Sequence, residues 1–273
     1  MRLGHLLALL TLGGSCGLAS AQITGRVMFQ GDPPEAAEIK EIAKAGQCAE
    51  LHKDPVFDDS IMVSDKNEVA NVIVFIKPAE GQKLSGPKKE TPVVLDQKGC
   101  MYTPHVLAVQ VGQPLVARNS DPFLHNVHAL AIDNTGFNNA QPVQGDMKLA
   151  PFTVAETVQV KCDVHPWMKA VVRVFDNPFF AVTGADGKFS IDTKGLPDGT
   201  YTIDAWHEIF RDAPTQTVTV KGGKADKELE FKFQAKPAAK AAAEPVKDAK
   251  LATVEPCCEP EAVKPVKIAA ATK

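Results

Sequence analysis

"ETVQVKCDVHPWMKAVVRVF", Glu156 to Phe175, carries the first clue to architecture. Its flanks, "ETVQVKC" and "AVVRVF", are rich in β-branched residues and read as strands. Between them lies "CDVHPWM", with a thiol, an imidazole and a thioether at steps of three. In an extended strand, residues three apart point to opposite faces, so Cys162, His165 and Met168 cannot converge there. A helix would gather them, but Pro166 interrupts the segment and strands bracket it. The spacing therefore predicts a tight loop that turns three side chains toward one point. Two readings stay open: a disulfide cysteine beside two bystanders, or most of a metal site.

The same period-two pattern extends outward. "NVIVFIK" (Asn71 to Lys77), "HVLAVQV" (His105 to Val111) and "PLVARN" (Pro114 to Asn119) all read as strands, separated by turn signals such as "VGQP" and "NSDP". One stretch, "PPEAAEIKEIAKAG" (Pro33 to Gly46), predicts a short surface helix. The fold class expected is all-β, a Greek-key sandwich spanning 22–175 with an N-terminal extension. Beyond Phe175, "GADGKFSIDTKGLPDGTYTIDAWHE" contains two Asp-Gly turns beside alternating strands. This part, 176–233, resembles transthyretin-like or carboxypeptidase-regulatory-like modules, which implies a small β-sandwich and no chemistry by itself. Residues 234–273 are dominated by Ala, Lys, Pro and Glu and predict a disordered tail. Cys257 and Cys258 sit within it, as an oxidisable pair or a soft-metal binder.

Composition sets the outer limits. The chain has 273 residues, 44% of them hydrophobic, and a formal net charge of −3. That balance gives no electrostatic case for nucleic acid or an anionic membrane. Arg2, the apolar run Leu6 to Leu12 and "ASA" at Ala19 to Ala21 predict a signal peptide at 1–21 and a mature start at Gln22. A lipid anchor at Cys16 is the competing reading. No other apolar run approaches the roughly 18 residues of a membrane helix. The expected location is periplasmic or secreted, where disulfides persist. Removal of Cys16 leaves Cys48, Cys100, Cys162, Cys257 and Cys258, an odd set that calls for an unpaired thiol or a metal ligand.

Thiolate, imidazole and thioether form a soft donor set suited to copper; zinc fits less well, since Met is a poor ligand for it. A further imidazole is needed. "NSDPFLHNVHAL" offers His125 and His128, which face opposite sides of a strand, so one of them can ligate. "CDVHPWM" together with "LHNVH" resembles the two ligand-bearing segments of the cupredoxins, the blue copper family, of amicyanin and plastocyanin type. With "DQKGCMYTPH" ahead and the second module behind, the arrangement resembles bacterial proteins labelled methylamine-utilisation-like. The resemblance spans roughly Val106 to Phe175. It implies type 1 copper, cycling between Cu(I) and Cu(II), held by His125, Cys162, His165 and Met168. It also implies Asn126 as the brace of the cysteine loop. Trp167 is either part of a docking surface or a cap over the metal. Val160 departs from the aromatic residue often found there in the family.

The implied function is a periplasmic one-electron carrier with a transient redox partner, such as a c-type cytochrome or a dehydrogenase. Copper storage, or binding of a partner or carbohydrate, is the alternative. An enzyme is not expected: Lys161 and Asp163 flank Cys162 where multicopper oxidases place histidines. Cys48 and Cys100 are most simply a disulfide tying the N-terminal extension to the sandwich. His105 reads as structural, His52 as having nothing around it to make a site, and His207 as a strand-surface residue and the best candidate for a contact with the copper region.

Overall fold

Strand pairing sorts the chain into two β-sandwiches, but not in sequence order. The computed structural model describes residues 21–212 and 215–234. The expected signal peptide and tail, with Cys257 and Cys258, lie almost wholly outside them.

In the first sandwich, a five-stranded sheet runs in the order Val106–Gln110, Lys169–Phe175, Thr157–Lys161, His125–Leu130, Phe137–Gln141. A four-stranded sheet, Met101–Thr103, Val93–Lys98, Leu115–Asn119, Gly145–Leu149, contributes to the same core. Leu95 and Ala117 from one sheet pack with Leu107, Val127, Val158 and Val172 from the other. The strands expected from 106 to 175 are therefore present, and the architecture is all-β.

The second sandwich draws on both ends of the described chain. One sheet is Lys188–Asp192, Gln22–Gln30, Leu229–Gln234. The other contains Phe180–Val182, Ile73–Lys77, Gly199–His207, Gln216–Lys221 and Lys224–Ala225. This corrects the expected division at 175/176. Gln22–Gln30 pairs in parallel with Leu229–Gln234, and Ile73–Lys77 pairs with Gly199–His207. Close approach of Gln22–Gln30 to its partner explains Gly25, where a Cβ would lie 2.2 Å from the Leu229 carbonyl oxygen.

"AVVRVF" does not alternate because both of its faces are covered. Ala170, Val172 and Val174 enter the first core. Val171 and Phe175 point the other way and pack with Ile73 and Phe180 of the second sandwich. Arg173 lies on that outer face, its guanidinium 4.4 Å from the Phe75 ring centroid and 5.3 Å from that of Trp206.

The helix expected from Pro33 to Gly46 is replaced by an irregular run with an isolated bridge from Glu38 to Phe57, a 3-10 turn at Ile42–Lys44 and a short helix at Gly46–Glu50. The Ile39 N–H donates to Val56 O instead of to a helical partner. Ile39 and Ile42 are anchored in the first core, so packing overrides weak helical periodicity.

Candidate metal centre

The loop after strand Thr157–Lys161 closes on itself. Cys162 N–H donates to Met168 O at 3.1 Å, and Met168 N–H donates to His165 O at 2.9 Å. Cys162 and Met168 are thereby buried together in the first core, while His165 remains half-buried. His125 begins the neighbouring strand His125–Leu130 and is fully buried.

These elements bring three donor atoms together. A nitrogen of His125, the sulfur of Cys162 and a nitrogen of His165 lie within 4.8 Å of one another. The two Nδ1 atoms face each other at 2.9 Å, and His165 Nδ1 is 3.8 Å from the sulfur. Cys162 is a free cysteine, which removes the disulfide reading for it. Met168 ends the same loop with its side chain fully buried.

Asn126 braces the loop. Its Oδ1 accepts from Asp163 N–H at 2.7 Å and lies 3.3 Å from the Cys162 sulfur. Its Nδ2 donates to Asn138 Oδ1 at 2.6 Å, and Tyr102 Oη donates to its carbonyl at 2.5 Å. His128 turns away to Asp163, 2.9 Å from Oδ2. Strand alternation separates it from His125, as the sequence predicts.

Asp121 is the group that sequence reasoning passed over. Its Oδ2 lies 2.9 Å from His125 Nε2, and its two oxygens accept from Gly99 N–H and Cys100 N–H at 2.8 Å each. The signal was present: an acidic residue four positions before His125, in "SDPFLH". Such a carboxylate fixes the ring and tautomer of a ligating histidine.

Electrostatics favour a thiolate. Burial pushes the Cys162 thiol up, but hydrogen bonds from His125, His165 and Asn126 outweigh it and bring the group down to about 6. Burial pulls His125 down, and the bonds to Asp121 and Cys162 reverse that and raise it. One ionisable sulfur facing two imidazole nitrogens is a soft, nitrogen-rich donor set that fits copper.

The remaining positions sort as follows. Cys48 and Cys100 form a disulfide with a Cα–Cα distance of 5.8 Å. Trp167 Nε1 donates to Cys100 O at 2.9 Å, and its ring lies 5.3 Å from that of His165. His105 is structural, bonded to Asp59 and Glu208. His52 belongs to none of the metal-capable groups among the described residues; its Nε2 sits 2.8 Å from Gly99 O. His207 is not a surface residue: it is fully buried against Phe210 and Phe233 and belongs to none of the metal-capable groups found among the described residues.

No protein-family model and no curated protein matches the chain. Among solved structures it is similar to a proline-to-alanine variant of amicyanin in the oxidized state, at 27% identity and TM-score 0.28, over 31% of this chain and 82% of that one. A methionine-to-alanine variant of amicyanin with Cu(I) matches at 25% identity and TM-score 0.29, over 37% and 98%. The purple cupredoxin from Nitrosopumilus maritimus matches at 19% identity and TM-score 0.27, over 32% and 100%. At these scores the likeness adds no residue to the site.

Proposed function

We propose that this chain is a copper protein that carries single electrons, with His125, Cys162 and His165 as the strong ligands and Met168 as a weak fourth. The observation that carries the reading is the meeting of one free, buried, readily ionised cysteine with two imidazoles, brought together from a strand and a loop. Copper bound there supplies a one-electron couple, Cu(I)/Cu(II). The protein's part is to hold the donors still. Asp121 fixes His125, Asn126 fixes the Cys162 turn, and the loop bonds fix His165 relative to Met168. A donor set that does not move between oxidation states keeps reorganisation small. His165, half-buried, is the ligand nearest to solvent, next to the exposed Val164 and Pro166. That loop is the expected docking face for a weak, transient redox partner such as a c-type cytochrome or a dehydrogenase. We place the mature protein in the periplasm and assign it no catalytic reaction.

Absorption and EPR spectra of the copper-loaded mature protein, with voltammetry, test the proposal. Intense visible colour and a reversible one-electron wave are expected, and Cys162→Ser loses both. A colourless protein that holds Cu(I) without a reversible wave overturns electron transfer in favour of storage. Unchanged colour in Cys162→Ser overturns the ligand assignment.

A further inference from the structure

The Cys48–Cys100 disulfide does more than pin the N-terminal segment to the sandwich. Its two sulfurs and a ring nitrogen of His165 lie within 4.8 Å of one another. The Cys100 sulfur also groups with an Asp121 oxygen and a His125 nitrogen within the same span. Both cysteines are almost fully buried, at 1% and 0% exposure.

The turn that carries Cys100 is bonded to both ligand-bearing segments. Gly99 and Cys100 adopt φ of 62° and 54°, a left-handed pair that a cysteine rarely enters. Asp121 holds both of their N–H groups and also His125. Trp167, from the Cys162–Met168 loop, donates to the Cys100 carbonyl. Cys100 is thus held against the imidazoles by bonds independent of the S–S link, while Cys48 sits 1% exposed on the short helix Gly46–Glu50.

We propose that Cys48 and Cys100, once reduced, form with His165 a second site for a soft monovalent ion, Cu(I). It rests on the proposed function only in sharing His165 with the first donor set. A dithiol protein supplies the reduction: the S–S bond takes two electrons and two protons, and the dithiol closes to its own disulfide. Cu(I) then displaces the thiol protons to solvent. Two thiolates and one imidazole are a soft set that favours Cu(I). While the pair is oxidised it offers no thiolate, and the ion is confined to the set around Cys162. The redox state of the pair therefore governs where Cu(I) resides.

The test uses the full mature chain carrying Cys162→Ser, which weakens the first set, and Cys257→Ser with Cys258→Ser, which removes other thiols. Anaerobic reduction by a water-soluble phosphine, whose oxide takes its oxygen from water, precedes Cu(I) titration against a chromogenic chelator. Reduction is expected to tighten Cu(I) binding roughly tenfold or more, equivalent to about 1.4 kcal/mol. Adding Cys48→Ser and Cys100→Ser should abolish the gain, and adding His165→Ala should reduce it. No gain, a gain that survives loss of the two cysteines, or a gain undiminished by His165→Ala overturns the proposal. So does loss of near-ultraviolet circular dichroism on reduction, because the three donors meet only in the fold. Failure of the oxidised parent protein, with Cys162 intact, to bind copper would instead overturn the first site and leave this result standing.

Discussion

Asp121 and His125 form a buried carboxylate–imidazole pair, Oδ2 to Nε2 at 2.9 Å, with His125 Nδ1 left facing Cys162 and His165. The carboxylate sets which nitrogen is free to bind. Asp121→Asn keeps the shape but replaces an anionic acceptor with an amide. Copper affinity is expected to fall about 10- to 100-fold, as for other outer partners of ligating histidines. Competition with a chelator of known affinity reads this directly. Unchanged affinity would mean that Asp121 serves only the Gly99–Cys100 turn.

At the junction of the sandwiches, Arg173 lies over Phe75, Phe175 and Trp206. Arg173→Met retains apolar bulk and loses the charge over the rings. A loss of about 1 kcal/mol is expected for a half-buried cation–π cluster, read from urea unfolding. Equal midpoints for the two proteins would remove the cluster from the account of stability.

Two buried histidines give the junction opposing pH dependences. For His105, burial lowers the pKa, but Asp59 and Glu208 more than reverse that and raise it from 6.5 to about 10. Its contribution is complete below pH 6.5 and is lost as pH rises toward 10. For His207, burial and then the nearby His105 lower the pKa to about 4. Its contribution is complete above 6.5 and is lost as pH falls toward 4. Stability should therefore peak near pH 6.5. His105→Gln should flatten the alkaline limb and His207→Gln the acid limb of urea midpoints measured across that range. A limb that keeps its slope in the matching variant refutes the assignment.

The disulfide closes a loop between residues separated by 52 positions. Chain entropy alone predicts that Cys48→Ser with Cys100→Ser costs about 4 kcal/mol. Thermal and urea unfolding of the metal-free protein measure it. A cost below roughly 1 kcal/mol would mean that the Asp121 and Trp167 bonds hold the turn unaided.

The sandwich that carries the candidate centre was legible because its signals are local. β-branched runs mark the strands at His105–Val111, Pro114–Asn119, Glu156–Cys162 and Ala170–Phe175, and Pro166 interrupts the Cys162–Met168 segment between two of them. Alternation along Gly199–His207 would also have placed His207 inward, on the face of Tyr201, Ile203 and Ala205. Strand partners were a different matter. "NVIVFIK" reads as a strand in isolation, yet nothing within it names Gly199–His207 as its neighbour. In Pro33 to Gly46, apolar spacing suggested a helix, while Ile39 and Ile42 were serving a core built far away in sequence. Asp121 escaped notice because carboxylates before a strand are common, and only its burial distinguishes this one.

The parallel pairing of Gln22–Gln30 with Leu229–Gln234 joins residues such as Arg26 and Glu230, which are 204 positions apart. A ribosome delivers the first of these strands long before the last. Until Leu229–Gln234 arrives, Gln22–Gln30 keeps one open edge, a surface that invites pairing with other chains. Arrival of Leu229–Gln234 covers that long edge with a shorter strand of six residues, which becomes the border of the sheet in its place.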